Sequence, residues 1–154
     1  ADLVALRKRL AVTERIAARI PPESQDAFRA YGDYFTRFEN AQVVIVPIHR
    51  PLHVLSNLVE EGLDVEDRAA ITMMEEQTGL VSTSIALGNI LLMAHAMDLG
   101  ASAMTGPLVA DPALRSILEV PEGWGIVALV PVGHPAEEPP SPGRKSVEKV
   151  VRWL

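Results

Sequence analysis

The sequence predicts an α+β fold in which a small sheet packs among helices, and three observations lead to this prediction. A β-branched run over residues 43–46 and an apolar run over residues 126–130 have the composition of buried strands. An uncharged run over residues 79–97 predicts a long buried helix. The remaining segments have amphipathic periodicity, which predicts helices between the strands. The sequence contains no internal repeat. One α+β domain over residues 1–154 is therefore expected.

The first part of the chain predicts two amphipathic helices and one strand. Apolar residues recur at helical spacing over residues 2–20, where Pro21 and Pro22 end the helix. The second helix is expected over residues 23–37, with its aromatic side chains on one face: Phe28, Tyr31, Phe35 and Phe38. The strand over 43–46 lacks polar alternation, so we expect it to be covered on both faces and to end at Pro47.

Residues 50–65 have a weaker pattern, which indicates irregular structure or a short mobile helix. Pro51, Gly62 and three acidic residues fall within this segment. We interpret it as a lid.

The second half predicts helices that alternate with turns and one further strand. Residues 67–78 lead into the long helix, which we expect to stop at Gly100 as a left-handed cap. Asp111 then caps a short helix that has Pro112 in its first position and buries Leu114, Ile117 and Leu118. A Pro-Glu-Gly turn at 121–123 precedes the strand over 126–130, and the Pro-rich segment 134–142 is expected to form an extended arm. Near the end of the chain, Trp153 is expected to pack as a C-terminal anchor.

Composition excludes several classes of function. The formal net charge of −6 argues against a nucleic-acid-binding face. The chain contains no cysteine and begins without an apolar leader, which suits a cytoplasmic protein. Polar residues spread through the uncharged run favour a buried helix of a soluble dimer over a membrane span. His49 and His53 are four residues apart, but Pro51 lies between them and no third ligand is apparent, so we expect no metal site.

Two short segments carry the pattern that is most informative about function. The first is the turn at residues 103–108, Ala-Met-Thr-Gly-Pro-Leu, directly after the long helix. The second is the Pro-Gly-Arg-Lys segment at residues 142–145. Over roughly residues 38–154, the order of helix, turn, short helix, strand and Pro-rich arm resembles that of nitroreductase-type FMN oxidoreductases. The family's opening Arg-Arg-Ser-x-Arg segment has no counterpart, so we expect a single nitroreductase-like domain that lacks this N-terminal segment.

The resemblance implies a mostly antiparallel sheet, an interlocked homodimer and an FMN site. In the family, two subunits interlock around the long helix, and the C-terminal arm crosses to the partner. Thr105, Gly106 and Pro107 would then lie against the flavin, with a backbone N–H directed at N5, because Gly106 lacks a Cβ and Pro107 restricts it toward extended backbone. Arg144 and Lys145 would bind the FMN phosphate, for which a guanidinium is well suited.

The function implied is an FMN-dependent oxidoreductase that takes a hydride from NAD(P)H and reduces nitro compounds, quinones or similar acceptors. Flavin supplies the chemistry, so no catalytic acid or base is expected among the side chains. One alternative is a non-catalytic flavin-binding or dimeric scaffold with the same fold. Another is an α+β interaction domain unrelated to flavin.

Overall fold

The computed structural model describes residues 18–34, 38, 41–59, 62–137 and 143–154. Most of the predicted N-terminal helix, Phe35, and the end of the predicted arm at 138–142 lie outside these residues. The helices are α1 (Pro22–Tyr34), α2 (Leu55–Leu58), α3 (Val65–Ala96), a 3₁₀ helix (Gly106–Ala110), α4 (Asp111–Leu118) and α5 (Val147–Val150). The strands are β1 (Val43–Ile45), β2 (Ile48–His49), β3 (Gly100–Ala101), β4 (Gly125–Ile126) and β5 (Val130–Gly133).

Two small antiparallel sheets form the β part of the fold, as the α+β prediction requires. The first has the strand order β1-β5-β3, with Val44 opposite Pro131 and Ala101 opposite Val132. The second pairs β2 with β4, placing Ile48 opposite Ile126. The run predicted as one strand over 126–130 is thus divided between two sheets, since β4 ends at Ile126 and β5 begins at Val130.

The segment between β4 and β5 is the centre of the core. All five residues from 126 to 130 are buried, which confirms their predicted burial. Phe38, Leu114 and Leu129 pack in one cluster with Met104, and Val130 packs in a second cluster with Leu87 of α3. Backbone bonds replace strand pairing here: the Val127 N–H donates to the Pro47 carbonyl at 2.9 Å.

Strand β1 departs from its prediction because only one of its faces is covered. Val44 is half-buried against the core, whereas Val43 and Ile45 are exposed on the opposite face. The β-branched composition correctly predicts the strand, but an edge strand in one subunit lacks a second covering layer.

Helix α3 is continuous for 32 residues, and it includes residues 67–78, which were predicted to lead into the long helix. Asp64 caps its N-terminus by accepting a hydrogen bond from the Asp67 N–H at 2.8 Å. In the single chain α3 is not buried as predicted, because only Glu75, Gly79, Leu87 and Ala94 are shielded from solvent. Among the described residues, α3 is the helix that could cross a membrane by length and composition.

The C-terminus of α3 ends earlier than predicted and by another residue. Asp98 has the left-handed conformation at φ 57°, and Gly100 is already part of β3. The Asp98 N–H donates to the His95 carbonyl, and the Leu99 N–H donates to the Ala94 carbonyl at 2.9 Å. These two bonds form a Schellman motif, in which a short acidic side chain tolerates the position usually taken by glycine.

The short helix α4 buries Leu114 and half-buries Ile117 and Leu118, as predicted. Asp111 is not its cap: it has helical dihedral angles and makes no side-chain capping bond. The reason is that the 3₁₀ helix runs directly into α4, so Asp111 lies within continuous helical backbone.

The predicted turn at 121–123 is present and precedes β4. Gly123 has a φ of 77°, and the Trp124 N–H donates to the Pro121 carbonyl at 3.2 Å. Trp124 is half-buried beneath Arg50, whose guanidinium lies 5.9 Å from the ring centroid. Trp153 does not anchor the C-terminus within the chain, because it is 87% exposed.

Candidate functional site

The predicted flavin-contacting turn lies at the edge of the first core cluster and is fixed at both ends. Met104 and Leu129 exchange reciprocal backbone hydrogen bonds of 2.8 and 2.9 Å. After the turn, the Leu108 N–H donates to the Thr105 carbonyl at 3.0 Å. Pro107 is almost completely buried, so the turn is held by packing as well as by hydrogen bonds.

Within this turn, Gly106 differs from its predicted backbone conformation. It is the first residue of the 3₁₀ helix, so Pro107 does not hold it extended. Proline is well tolerated in the first turn of a helix, where its missing N–H has no intrahelical partner. Thr105 is exposed and Gly106 is half-buried, so this end of the 3₁₀ helix remains open to an approaching group.

Arg144 and Lys145 lie on exposed backbone immediately before α5. Within the described part of the chain, neither side chain forms a hydrogen bond or ion pair with the turn at 105–107. The structure therefore brings Thr105, Gly106 and Pro107 together but does not join them to the two cations in a single subunit. Part of the connecting arm, 138–142, lies outside the described residues.

An open groove of about 430 Å³ lies beside β3 and β5. Its lining residues include Gln42, Gly100, Ser102 and His134. Ser102 is on the segment that leads into Met104, but none of the five predicted cofactor-binding residues lines this groove. The groove and the predicted site are thus neighbours along the chain and not one cavity.

A second groove of about 340 Å³ is almost entirely apolar and lies between α3 and the first sheet. Ile45, Met93 and Val132 are among its lining residues. Elsewhere on α3, one face has apolar side chains that are exposed in the single chain: Met74, Val81, Ile85 and Leu92. An exposed apolar face of this kind is unusual on a single soluble chain.

Glu75 is a buried acid that no sequence pattern singles out. Its side chain is 3% exposed, and its carboxylate accepts hydrogen bonds from the Leu55 N–H at 2.5 Å, the Ser56 N–H at 3.3 Å and the Ser56 hydroxyl at 2.5 Å. The hydroxyl of Ser56 lowers the pKa of Glu75, burial opposes this effect, and the backbone N–H groups lower it further. The adjacent Glu76 is exposed, and no spacing rule distinguishes the two.

The contact between Glu75 and α2 changes the interpretation of the predicted lid. The short helix expected within residues 50–65 is present as α2 (Leu55–Leu58). The buried carboxylate of Glu75 binds α2 to α3 by hydrogen bonds, so α2 does not move independently of α3 while these bonds are made.

His49 and His53, whose four-residue spacing was not expected to form a metal site, have separate environments. The His49 ring packs between Gly79 and Gly125, where an added Cβ would overlap the Arg50 carbonyl at Gly79 and the His49 ring at Gly125. The Nδ1 of His49 has no hydrogen-bond partner within the described part of the chain. His53 lies 3.6 Å from the Glu75 carboxylate, and no group of three metal-ligating side chains occurs among the described residues.

Comparison with known proteins supports the resemblance found in the sequence. The Nitroreductase family model matches residues 4–134. An NADH dehydrogenase from Thermus thermophilus is 43% identical over 90% of this chain and 74% of its own length. An iodotyrosine dehalogenase 1 homolog from Caenorhabditis elegans is 39% identical, over 47% of this chain and 22% of its own length.

A solved structure shares the fold at lower sequence identity. The BluB-like flavoprotein from Clostridium difficile 630 superposes with a TM-score of 0.73, at 17% identity, over 99% of this chain and 73% of its own. The family match includes both sheets, α3 and the turn at 105–107. The chain belongs to the nitroreductase family.

Proposed function

We propose that this protein is an FMN-dependent oxidoreductase that takes a hydride from NAD(P)H and reduces nitro compounds, quinones or similar small acceptors. The observation that carries the proposal is the nitroreductase family match over residues 4–134, which includes the turn at Thr105, Gly106 and Pro107. The relative named NADH dehydrogenase supports a nicotinamide donor, and the flavoprotein that shares the fold supports a flavin cofactor.

The residues present fit an FMN molecule in their chemistry. The turn offers backbone donors at a rigid position, since Pro107 is buried and Met104 is bonded to Leu129. We assign Thr105 and Gly106 to the N5 edge of the ring. Arg144 and Lys145 are exposed cations that can grip a phosphate, and within the described residues no carboxylate neutralises them.

Because the turn at 105–107 does not contact Arg144 and Lys145 within one chain, we propose a homodimer. A site built from the turn of one subunit and the cations of another requires the C-terminal segment to reach its partner. The exposed apolar face of α3 and the exposed Val147, Val150 and Trp153 near the C-terminus supply the apolar area that such an interface needs. We therefore propose that α3 packs against a second copy and does not cross a bilayer.

Bound flavin would supply the chemistry of hydride transfer between the nicotinamide and the acceptor. The protein's own residues would bind and orient. The turn at 105–107 would hold the ring in place, and the two cations would hold the phosphate. The buried core around Met104 and Leu129 would exclude water from one side. None of these roles requires a side chain to transfer a proton.

Steady-state turnover tests this proposal. The full chain, incubated with FMN, is expected to oxidise NADH or NADPH in the presence of a quinone or a nitroaromatic compound, at a rate that depends on the concentrations of both. A protein that retains FMN but oxidises neither nicotinamide would instead be a flavin-binding scaffold. A protein that binds no FMN at all would contradict both assignments.

A further inference from the structure

The contact between α2 and α3 depends on one side chain. Glu75 of α3 directs its carboxylate at the first turn of α2, where it meets three donors on two adjacent residues, Leu55 and Ser56. Helix α2 has only four residues, and its capping residue, Val54, makes no side-chain hydrogen bond. The carboxylate thus satisfies N–H groups that α2 cannot satisfy itself.

An ionised carboxylate suits this position better than a neutral acid. All three contacts are donated to Glu75, and both oxygens are used: Oε1 by the two backbone N–H groups and Oε2 by the Ser56 hydroxyl. If either oxygen were protonated, it would accept fewer hydrogen bonds. It would also become a donor itself, facing the N–H and O–H donors of Leu55 and Ser56. Because the side chain is nearly inaccessible to solvent, water cannot easily replace a contact that is lost.

Few other charges act on Glu75 within the described residues. The His53 ring, just before α2, lies 3.6 Å from Oε2. The His49 ring of β2 and the carbonyl of Arg50, which follows β2, lie against Gly79, one helical turn further along α3, while the Arg50 guanidinium lies over Trp124. Neither α2 nor β3 contributes an ionisable side chain, and Glu76 is exposed. Whether the hydrogen bonds between Glu75 and α2 are kept therefore depends mainly on whether Glu75 is ionised or protonated.

We propose that Glu75 is an acid-sensitive latch, which fixes residues 53–58 on α3 while it is ionised and releases them when it takes up a proton. The released segment carries exposed apolar side chains, Val54, Leu55 and Leu58, whose position the latch determines. This conformational device would act independently of flavin binding, so its test does not depend on the proposed function.

The direction of the pH effect follows from the shift of the Glu75 pKa. Hydrogen bonds lower the pKa in the folded protein below the ordinary value of 4.5. The contribution of the latch is therefore fully present above pH 4.5 and is lost as the pH falls through the lower pKa of the folded state. The segment is latched at neutral pH and opens in acid.

Amide hydrogen exchange on the full chain, followed residue by residue by NMR from pH 7 to pH 3 and corrected for the intrinsic rate, tests the latch. We expect the Leu55 and Ser56 amides to lose protection together, by roughly tenfold or more, at a midpoint below 4.5. The Leu129 amide, bonded to Met104 in the core, should stay protected through this transition. Loss of protection at Leu55 and Leu129 together would overturn the proposal, since it would report global unfolding.

Variants separate the latch from a general effect of acid. Ser56→Ala removes the hydroxyl that lowers the pKa most, so the midpoint should move to higher pH. Glu75→Gln should abolish the midpoint, whereas Glu76→Gln, which removes the same charge at the exposed neighbour, should leave it unchanged. An unshifted midpoint in Ser56→Ala would overturn the proposal even if Glu75→Gln does not fold.

Discussion

At the scale of single residues, the cations assigned to phosphate binding lie on one of the most exposed parts of the chain. Arg144 and Lys145 precede α5 on open backbone, and neither contacts the turn at 105–107 in the same subunit. Exposed cations are usually of little consequence for stability. Replacing them therefore tests ligand binding with little disturbance of the fold.

Replacing Arg144 by alanine should weaken FMN binding by about 1.5–3 kcal/mol, the range for a hydrogen bond to a charged group. Fluorescence titration of FMN into the purified protein measures this effect. Arg152→Ala is the matched control, because Arg152 is also exposed near the C-terminus and has no assigned role. Equal affinities in Arg144→Ala and the unmodified protein would remove Arg144 from the site.

The sequence correctly predicts which residues of α4 face the core, but it does not predict the buried position of Glu75. Leu114, Ile117 and Leu118 face the core because their spacing follows one side of a helix. Glu75 was missed because its donors, Leu55 and Ser56, are 19 or 20 residues away in sequence. No local pattern reports such a partner. Whether Thr105, Gly106 and Pro107 contact flavin stays a prediction.

At the scale of elements, the packing of β2 on α3 depends on a close approach of backbone to helix. Gly79 faces β2, where an added Cβ would overlap the Arg50 carbonyl oxygen, a backbone atom that cannot turn away. Gly125 makes a similar space for the His49 ring on the paired strand. The two glycines therefore set the distance between α3 and the second sheet.

Substituting Gly79 by alanine should destabilise the protein by about 1–3 kcal/mol, because a methyl group must be forced into a filled space. Gly88→Ala on the same helix is the control, measured at a concentration at which the chain is monomeric, since within one chain nothing lies within 4 Å of its added Cβ. That change should leave stability unaltered or raise it by up to about 1 kcal/mol through helix propensity. Chemical denaturation measures both, and equal stabilities for the two variants would contradict the assigned packing.

The elements themselves were largely predictable, but their boundaries were not. Composition located β1, α3 and the segment around β4 and β5. The end of α3 was misassigned to Gly100 because the left-handed residue is Asp98, which is less common at that position. The single predicted strand over 126–130 became two, because backbone bonds to Pro47 and Met104 divide it between sheets.

At the scale of the whole molecule, one subunit leaves much of its apolar composition exposed. Ile85 and Leu92 are seven residues apart on α3, and both are more than 60% exposed. The sequence predicted this helix to be buried, and one chain does not bury it. An apolar sequence pattern predicts that a helix face is shielded from water. It does not predict whether the residues that shield it belong to the same chain or to another.

If this face of α3 packs against a second copy, Leu92→Glu should place an unpaired charge in the interface. The cost of burying it, about 3 kcal/mol or more for each copy, would weaken dimerisation by at least roughly 100-fold. Sedimentation in detergent-free buffer measures the change. Ser116→Glu, on the exposed side of α4, should leave the mass unchanged. A monomeric unmodified protein would contradict the proposed dimer.

The most direct test of the proposed function is an absorbance spectrum of the full chain after incubation with FMN and removal of unbound cofactor. We expect flavin bands at close to one FMN per subunit, which bleach when NADH or NADPH is added without oxygen and return when air is admitted. A spectrum without flavin bands would contradict the assignment of FMN to this chain. Bands that no nicotinamide bleaches would contradict its assignment as an oxidoreductase.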